Sequence, residues 1–343
     1  MTQDRPRHAA PRREAKFLMS SVPVSSNKSP DSARIRFSSE SPLVYIIILN
    51  WHGWRDTIAC LHSLQQLTYQ HYRVLVVDNG STDESIERIR SVNPEIPIIE
   101  TCQNLGFSGG CNVGILRAFG QQAEYVWLLN NDTVVDPQAL TTMVIIAENN
   151  RHVGAVGSVV YHYDNPTKVQ AWGGGTVNLW SGRNTNHTHR STKKNLTHIY
   201  GASILVRSDA LKHVGLLDED SYFLYWEEND LCFRLRKAGW TLYTAEQSRI
   251  YHKESASLSG QSGTKHYHFT KSMVHFLTSY APIPIIPLFV ALARRMINML
   301  VHKQFDAIAP ILQGAKDGAL EVLSRRGAIA FFIGESWRGK TGH

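Results

Sequence analysis

The 343-residue sequence has only four cysteines, Cys60, Cys102, Cys111 and Cys232. None falls in a C-x-x-C spacing and they show no pairing pattern. Neither a zinc knuckle nor a disulfide framework is therefore indicated, and a reducing compartment is the simplest expectation. Long apolar runs are lacking too. Residues 1–16 carry charges and prolines where a signal peptide needs an apolar stretch. The apolar stretch 281–293 is thirteen residues interrupted by Pro282, Pro284 and Pro287, and crossing a bilayer takes ~20. A cytoplasmic location is expected. The first apolar run ends Asn50-Trp51-His52-Gly53-Trp54, without the G-x-G-x-x-G turn that a dinucleotide-dependent oxidoreductase places there. Five N-x-S/T triplets, at Asn27, Asn79, Asn131, Asn186 and Asn195, read as chance or as parts of other motifs when no secretion signal accompanies them.

The middle of the chain lacks net charge. The total is +7, and residues 1–40 and 281–343 each hold eight Lys/Arg against four Asp/Glu, which leaves about −1 for everything between. A nucleic-acid-binding core would put its cations on a folded face, so no nucleic-acid partner is expected. Basic tails suit an approach to an anionic membrane or plain solvation equally well.

With 43% hydrophobic residues, the chain can bury a full core. Residues 1–41, rich in Ser, Pro and Arg, have the composition of a disordered basic arm. From Val44 onward, apolar runs at 44–49, 72–77, 96–99, 125–129 and 155–160 alternate with helix-compatible stretches at 54–67, 81–90, 110–119 and 137–148. Such β-α alternation predicts a mostly parallel sheet covered by helices on both faces. Between 154 and 203 the alternation weakens, and a loop-bearing subdomain is expected. Helical pattern returns at 208–214 and 227–238.

Ligands of such sheets bind beyond the carboxyl ends of the strands. The polar residues gather there: Asn50-Trp51, then Asp78-Asn79-Gly80-Ser81, then Asn104-Leu105-Gly106-Phe107, then Asn130-Asn131-Asp132. Each alone is explained as a turn or cap; four in succession point to one crevice. Asp132, at a strand mouth, suits a hard divalent cation shared with substrate phosphates, although it also suits a helix cap. Glu227-Glu228 opens a helix-like segment, where the helix dipole favours acids. The aromatic approach Tyr222, Phe223, Tyr225 and Trp226 would lift a carboxylate pKa toward the range of a general base. His252 offers a nitrogen ligand or a phosphate contact.

Taken in order, the runs Leu49-Asn50-Trp51, Val76 to Asp83, Asn104 to Asn112, Leu128 to Thr133 and Trp226 to Cys232 resemble glycosyltransferase family 2, the inverting enzymes of the GT-A nucleotide-sugar fold, and its bacterial rhamnosyltransferase-like branch. The resemblance spans about residues 43–282. It implies an α/β GT-A domain over 42–262, with a nucleotide-binding half at 42–150 and an acceptor half at 151–262. A helical C-terminal region over 263–343 follows, one that can meet a membrane. It implies that Asp78 reads the nucleobase, with Asn50, Asn79, Asn104, Gly106, Phe107, Asn130 and Asn131 around the nucleotide. Asp132 stands for the last carboxylate of the family's Asp-x-Asp metal motif, with Asn130 where its first Asp would be. His252 matches a downstream histidine and completes a site for Mg2+ or Mn2+. Of the acidic pair, Glu228 corresponds to the base, and Trp226, Tyr225 and Asp230 flank the acceptor. Lys271 stands near a segment that more often carries Arg-Asn, and is expected to meet a phosphate as a point charge.

The expected reaction is transfer of a sugar, L-rhamnose from dTDP-rhamnose by preference, to a hydroxyl of a glycan or polyprenyl-linked saccharide in cell-envelope polysaccharide synthesis. Other hexosyl or galactofuranosyl transfers share the motifs. A non-catalytic carbohydrate-binding protein is the rival class, and it has no need of Asp78, Asp132 and Glu228 at three separate element ends. An interfacial helix over 288–301 is expected to bring the protein onto the inner face of the membrane, against the alternative of an ordinary packed helix.

Overall fold

A computed structural model describes residues 41–190, 196–254 and 262–338. The basic arm expected over 1–41 lies, but for Ser41, outside the described residues. The first half alternates as expected: β1 (Val44–Asn50), α1 (Trp54–Leu64), β2 (Tyr72–Asp78), α2 (Ser85–Val92), β3 (Ile98–Glu100), α3 (Gly106–Gly120), β4 (Tyr125–Asn130), β5 (Thr133–Val135) and α4 (Ala139–Asn149). Strands β3, β2, β1 and β4 lie side by side and parallel. Val44 to Ile48 are buried without interruption, as a strand covered on both faces requires. On one of those faces α3 comes unusually near: a Cβ at Gly110 or Gly114 would run into Leu49 or Ile47, so the glycines set how closely helix and strand pack.

The second half is mixed. It comprises β6 (Val153–His162), β7 (Asn165–Trp172), β8 (Gly174–Asn178), β9 (Arg183–Asn186), β10 (His198–Ile199), β11 (Ser203–Arg207), α5 (Ser208–Val214), α6 (Glu227–Lys237) and β12 (Thr241–His252). Strand β11 runs antiparallel between β4 and β6, β12 runs parallel to β6, β5 pairs antiparallel with β12, and β7 pairs antiparallel with β6. The stretch expected as a loop-bearing subdomain is mostly strand, and β8, β9 and β10 form a separate three-stranded sheet. Strand β9 reads Arg-Asn-Thr-Asn, so it carries no apolar alternation to betray it; backbone pairing with β8 holds it.

A file of buried hydroxyls crosses four neighbouring strands. Trp127 Nε1 donates to Ser203 Oγ at 2.9 Å, Ser203 and Ser158 share a bond of 2.8 Å, and Ser248 donates to Ser158 at 2.8 Å. Buried polar groups that satisfy one another across strands define a register, since a slip leaves them unpaired. That register brings the ends of β4 and β12 together.

Three helices complete the chain: α7 (Ser262–Tyr280), α8 (Ile285–Val301) and α9 (Ile308–Arg338). Met273, Phe276 and Leu277 of α7 pack with Tyr222, Trp226 and Ala291 in a second apolar cluster. No described helix is long and apolar enough to cross a membrane.

Candidate functional site

The carboxyl ends of β1, β2 and β4 open into a cleft of about 790 Å³, whose lining includes Leu49, Trp51, Asn79, Asn104, Asn131 and Asp132. The turns around it are cross-braced by amides. Asn79 Nδ2 donates to Asn104 Oδ1 at 3.0 Å and to the Gly106 carbonyl at 2.9 Å, and its Oδ1 accepts from Leu105 N. Asn131 Nδ2 donates to Thr57 Oγ1 at 3.1 Å. Gly106 sits at φ +74°, where a Cβ would strike the Phe223 carbonyl and ring, and Phe107 N donates to that same carbonyl at 2.7 Å. Gly106 thus joins the donor-side turn to the segment that leads into α6. Gly106→Ala is expected to destabilise the fold by ~2 kcal/mol or more, lowering the midpoint of thermal unfolding by roughly 3 °C or more.

Asn50 and Asp78 are buried and do not line the cleft. Asp78 Oδ1 accepts from Asn50 Nδ2 at 2.7 Å and Oδ2 from Ser81 N at 2.9 Å. Both oxygens serve the turn, each accepting one hydrogen bond there and keeping a second lone pair.

Asp132, between β4 and β5, meets His252 at the end of β12: Oδ1 and Nε2 are 3.2 Å apart. Asn130 Nδ2 lies 3.4 Å from the same nitrogen. The other ring nitrogen, Nδ1, is 2.8 Å from Gln170 Oε1. With Nδ1–H donated to that amide oxygen, Nε2 presents a lone pair. The 3.2 Å separation suits neighbouring positions on a small octahedral cation, which at bond lengths of ~2.1 Å lie ~3 Å apart. Among the described residues no group of three His, Cys, Asp or Glu gathers as a metal site. Two protein ligands fit a cation that takes its other ligands from phosphate and water. Lys253 continues the clamp: its N donates to the Asp132 carbonyl at 3.1 Å and its ammonium reaches Asp56 at 2.6 Å.

The acidic pair enters from α6. Tyr225 and Trp226 both hold left-handed backbone, φ +68° and +71°, a conformation costing bulky residues ~1–3 kcal/mol each. The kink aims the first turn of α6 at the cleft, and Tyr225, Glu227 and Glu228 line it. Burial pushes Glu228 up to about 7, opposed by backbone N–H groups of its own residue and Asn229. Glu227 is raised well above the carboxylate range by burial and then by Glu228, and its Oε2 is buried without a hydrogen-bond partner. Burial and mutual repulsion therefore make the pair as a whole hold a proton more readily than exposed carboxylates do.

Three expected residues lie elsewhere, and four others line the cleft unannounced by any motif. Trp226 is core, packed between Phe269 and Phe276. Asp230 is structural: it accepts from Arg234 Nε at 2.7 Å and from Tyr280 OH at 2.6 Å. Lys271 is outside the cleft, its ammonium 2.7 Å from Glu321 on α9; Thr264, Lys265 and His268, in the first turns of the same helix, line the cleft instead. Tyr200, which no sequence pattern marks, lines the cleft edge-on to His252. Its hydroxyl pKa is pushed up by burial and then by Glu254, Glu228 and Asp132, so it stays protonated within the field of both acidic groups.

The chain matches the model for glycosyl transferase family 2 over residues 44–215. It is 26% identical over 231 residues to an N-acetylglucosaminyl-diphospho-decaprenol L-rhamnosyltransferase of Mycobacterium tuberculosis, covering 60% of this chain and 74% of the relative. It is 24% identical over 288 residues to the low-salt glycan biosynthesis hexosyltransferase Agl10 of Haloferax volcanii, covering 80% and 90%. An uncharacterized protein of Sinorhizobium fredii is 28% identical over 254 residues, which are 69% of this chain and 27% of that much longer protein. Among solved structures, the mannosyltransferase PcManGT of Pyrobaculum calidifontis, in complex with GDP-Man and Mn2+, superposes with a TM-score of 0.52 at 16% identity, covering 84% and 81%. GalNAc-T7 with UDP, GalNAc and Mn2+ does so with a TM-score of 0.57 at 15% identity, covering 71% and 49%. Strand order, cleft and these likenesses agree: the fold is GT-A, and the chain belongs to glycosyl transferase family 2.

Proposed function

We propose that the chain is an inverting glycosyltransferase that takes a nucleoside-diphosphate sugar, dTDP-rhamnose by preference, and moves its glycosyl unit to a hydroxyl of a glycan or polyprenyl-linked saccharide. The observation that carries the reading is that two acidic centres of different chemistry share one cleft, the Asp132–His252 pair and the Glu227–Glu228 pair. Rhamnose rests on the mycobacterial relative, as does the lipid-linked acceptor, which would place the enzyme on the inner face of the cytoplasmic membrane.

Asp132 and His252 would hold Mg2+ or Mn2+, which when bound neutralises the charge growing on the departing diphosphate. Asn79, Asn104 and Trp51 line the part of the cleft that would receive the nucleoside, with Asp78 and Asn50 behind them. Glu228 takes the proton from the acceptor hydroxyl as that oxygen attacks the anomeric carbon, and a single displacement inverts that carbon. Glu227 would hold the proton that keeps a second negative charge away from Glu228.

A panel of nucleoside-diphosphate sugars, tested for binding and transfer with and without Mn2+, checks the reading. dTDP-rhamnose is expected to be preferred, with an inverted linkage in the product; a different preferred hexosyl donor would replace the sugar, and binding without turnover on every donor and acceptor would favour a lectin. Because the base must be ionised, kcat/KM is expected to rise tenfold per pH unit below about 7 and level off above it. A flat profile between pH 5 and 8 would remove the carboxylate base.

A further inference from the structure

Twelve of the seventeen large hydrophobic side chains that stand exposed among the described residues fall between Ile283 and Leu323. Helix α8 shows the pattern most clearly. Ile285, Phe289, Ile297 and Val301 are 72%, 73%, 60% and 69% exposed, on an i, i+4 row that winds slowly around the helix. Pro287, Ala291 and Met299 of the same helix are buried, so α8 already has its packed face and presents a second apolar one. Concentrations of exposed apolar area on this scale mark a surface that something covers.

Charge identifies the occupant. Residues 281–305 contain no Asp or Glu, and Arg294 and Lys303 stand exposed among them. Beside them, the turn between β8 and β9 carries Trp180, 55% exposed, and Arg294 reaches the carbonyls of Ser181 and Gly182 at 3.4 Å each. An apolar stripe flanked by cations and tryptophan, free of carboxylates, matches the headgroup boundary of an anionic bilayer. A protein partner would place no such demand on the sign of the charge. Position then gives the surface a purpose. Arg295 lies 3.1 Å from His266 and its guanidinium stacks over Phe269, which sets the second half of α8 beside the first turns of α7. Those turns supply Thr264, Lys265 and His268 to the cleft.

We propose that the exposed face of α8, with Trp180, docks on the surface of an anionic lipid bilayer and holds the cleft next to it. The docking stands on exposure and charge; its service to the acceptor rests on the reading that the acceptor is lipid-linked. The test is flotation of the full chain with phosphatidylcholine vesicles with and without phosphatidylglycerol, comparing the wild type with the triple variant Phe289→Glu, Ile297→Glu, Val301→Glu. Residues 1–40 are the same in both proteins, so any contribution of the basic arm cancels. The wild type is expected to float with the anionic vesicles. The variant is expected to bind at least ~10-fold more weakly, with its thermal midpoint and its donor binding unchanged. Equal flotation of the two proteins, or none by the wild type, overturns the proposal. So does a dimer in light scattering that the variant abolishes while vesicle binding persists, because the occupant is then a second copy. Loss of donor hydrolysis in both proteins would strike the transferase reading and leave the flotation result standing.

Discussion

Glu228→Gln is expected to lower kcat by about 10²–10⁴-fold, the usual contribution of a general base, while the Kd for the nucleoside-diphosphate sugar stays within about twofold. The amide keeps the size of the carboxylate and can still accept from the N–H of Asn229 that braces Glu228, but it cannot take a proton. The same substitution has an opposite signature in stability. Burial raises Glu228 to about 7 in the folded protein from an ordinary 4.5, so the folded state holds the proton more tightly than the unfolded one. The carboxyl is tolerated while pH is low, and folding is progressively penalised as pH rises from the unfolded value through about 7, by ~3 kcal/mol at the plateau. Glu228→Gln should therefore unfold at a higher temperature than the wild type at pH 8 and at nearly the same temperature at pH 4. Calorimetry at the two pH values alongside single-turnover kinetics checks both. A residue with only a structural part to play would lose activity and stability together, and near-normal turnover would dismiss Glu228 as the base.

Asp132→Asn is expected to abolish Mn2+-dependent donor binding and to reduce kcat/KM by at least ~10²-fold. Asparagine retains an oxygen at the place of Oδ1 but removes the charge, and with Asn130 already neutral the cation would keep one imidazole and the diphosphate. Binding of Mn2+ in the presence of nucleoside diphosphate, followed by electron paramagnetic resonance, reads the site without turnover. A companion variant, Gln170→Leu, leaves both ligands in place and removes the acceptor that orients the His252 ring; it should weaken Mn2+ by ~10–100-fold. Unaltered Mn2+ binding in Asp132→Asn would move the cation to other residues.

How far the sequence could be read follows from where each residue's surroundings come from. The ends of β1, β2 and β4 were legible because a parallel sheet turns local apolar runs into neighbours and leaves their carboxyl ends at one edge. Asp132 and Asn104 could be placed at the cleft this way, and Glu228 from the aromatic run that precedes it and the order of the motifs. Tyr200 was not, since it follows a two-residue strand in a stretch without period. Trp226 and Asp230 were drawn in by adjacency to the acidic pair, yet on a helix the neighbours of Glu228 in the chain point to other sides: Asp230 toward Arg234 and Tyr280, and Trp226, before the first turn, into the core. Lys271 differs in depth and not in phase: it follows His268 by three residues on α7, past the turns that meet the cleft, where Glu321 of α9 takes its ammonium. The antiparallel placement of β11 depends on pairing partners far apart in the chain, which no local pattern encodes.

His252 reaches Asp132 only where β12 pairs with β5 and β6, so the proposed site for a cation and its diphosphate exists in the folded chain alone. Whatever binds there binds the finished protein and not its unfolded form, adding about 4 kcal/mol of stability when present at 1,000 times its Kd. A cell rich in the sugar donor would accordingly shield this enzyme from proteases, and one that has exhausted it would degrade the idle copies faster.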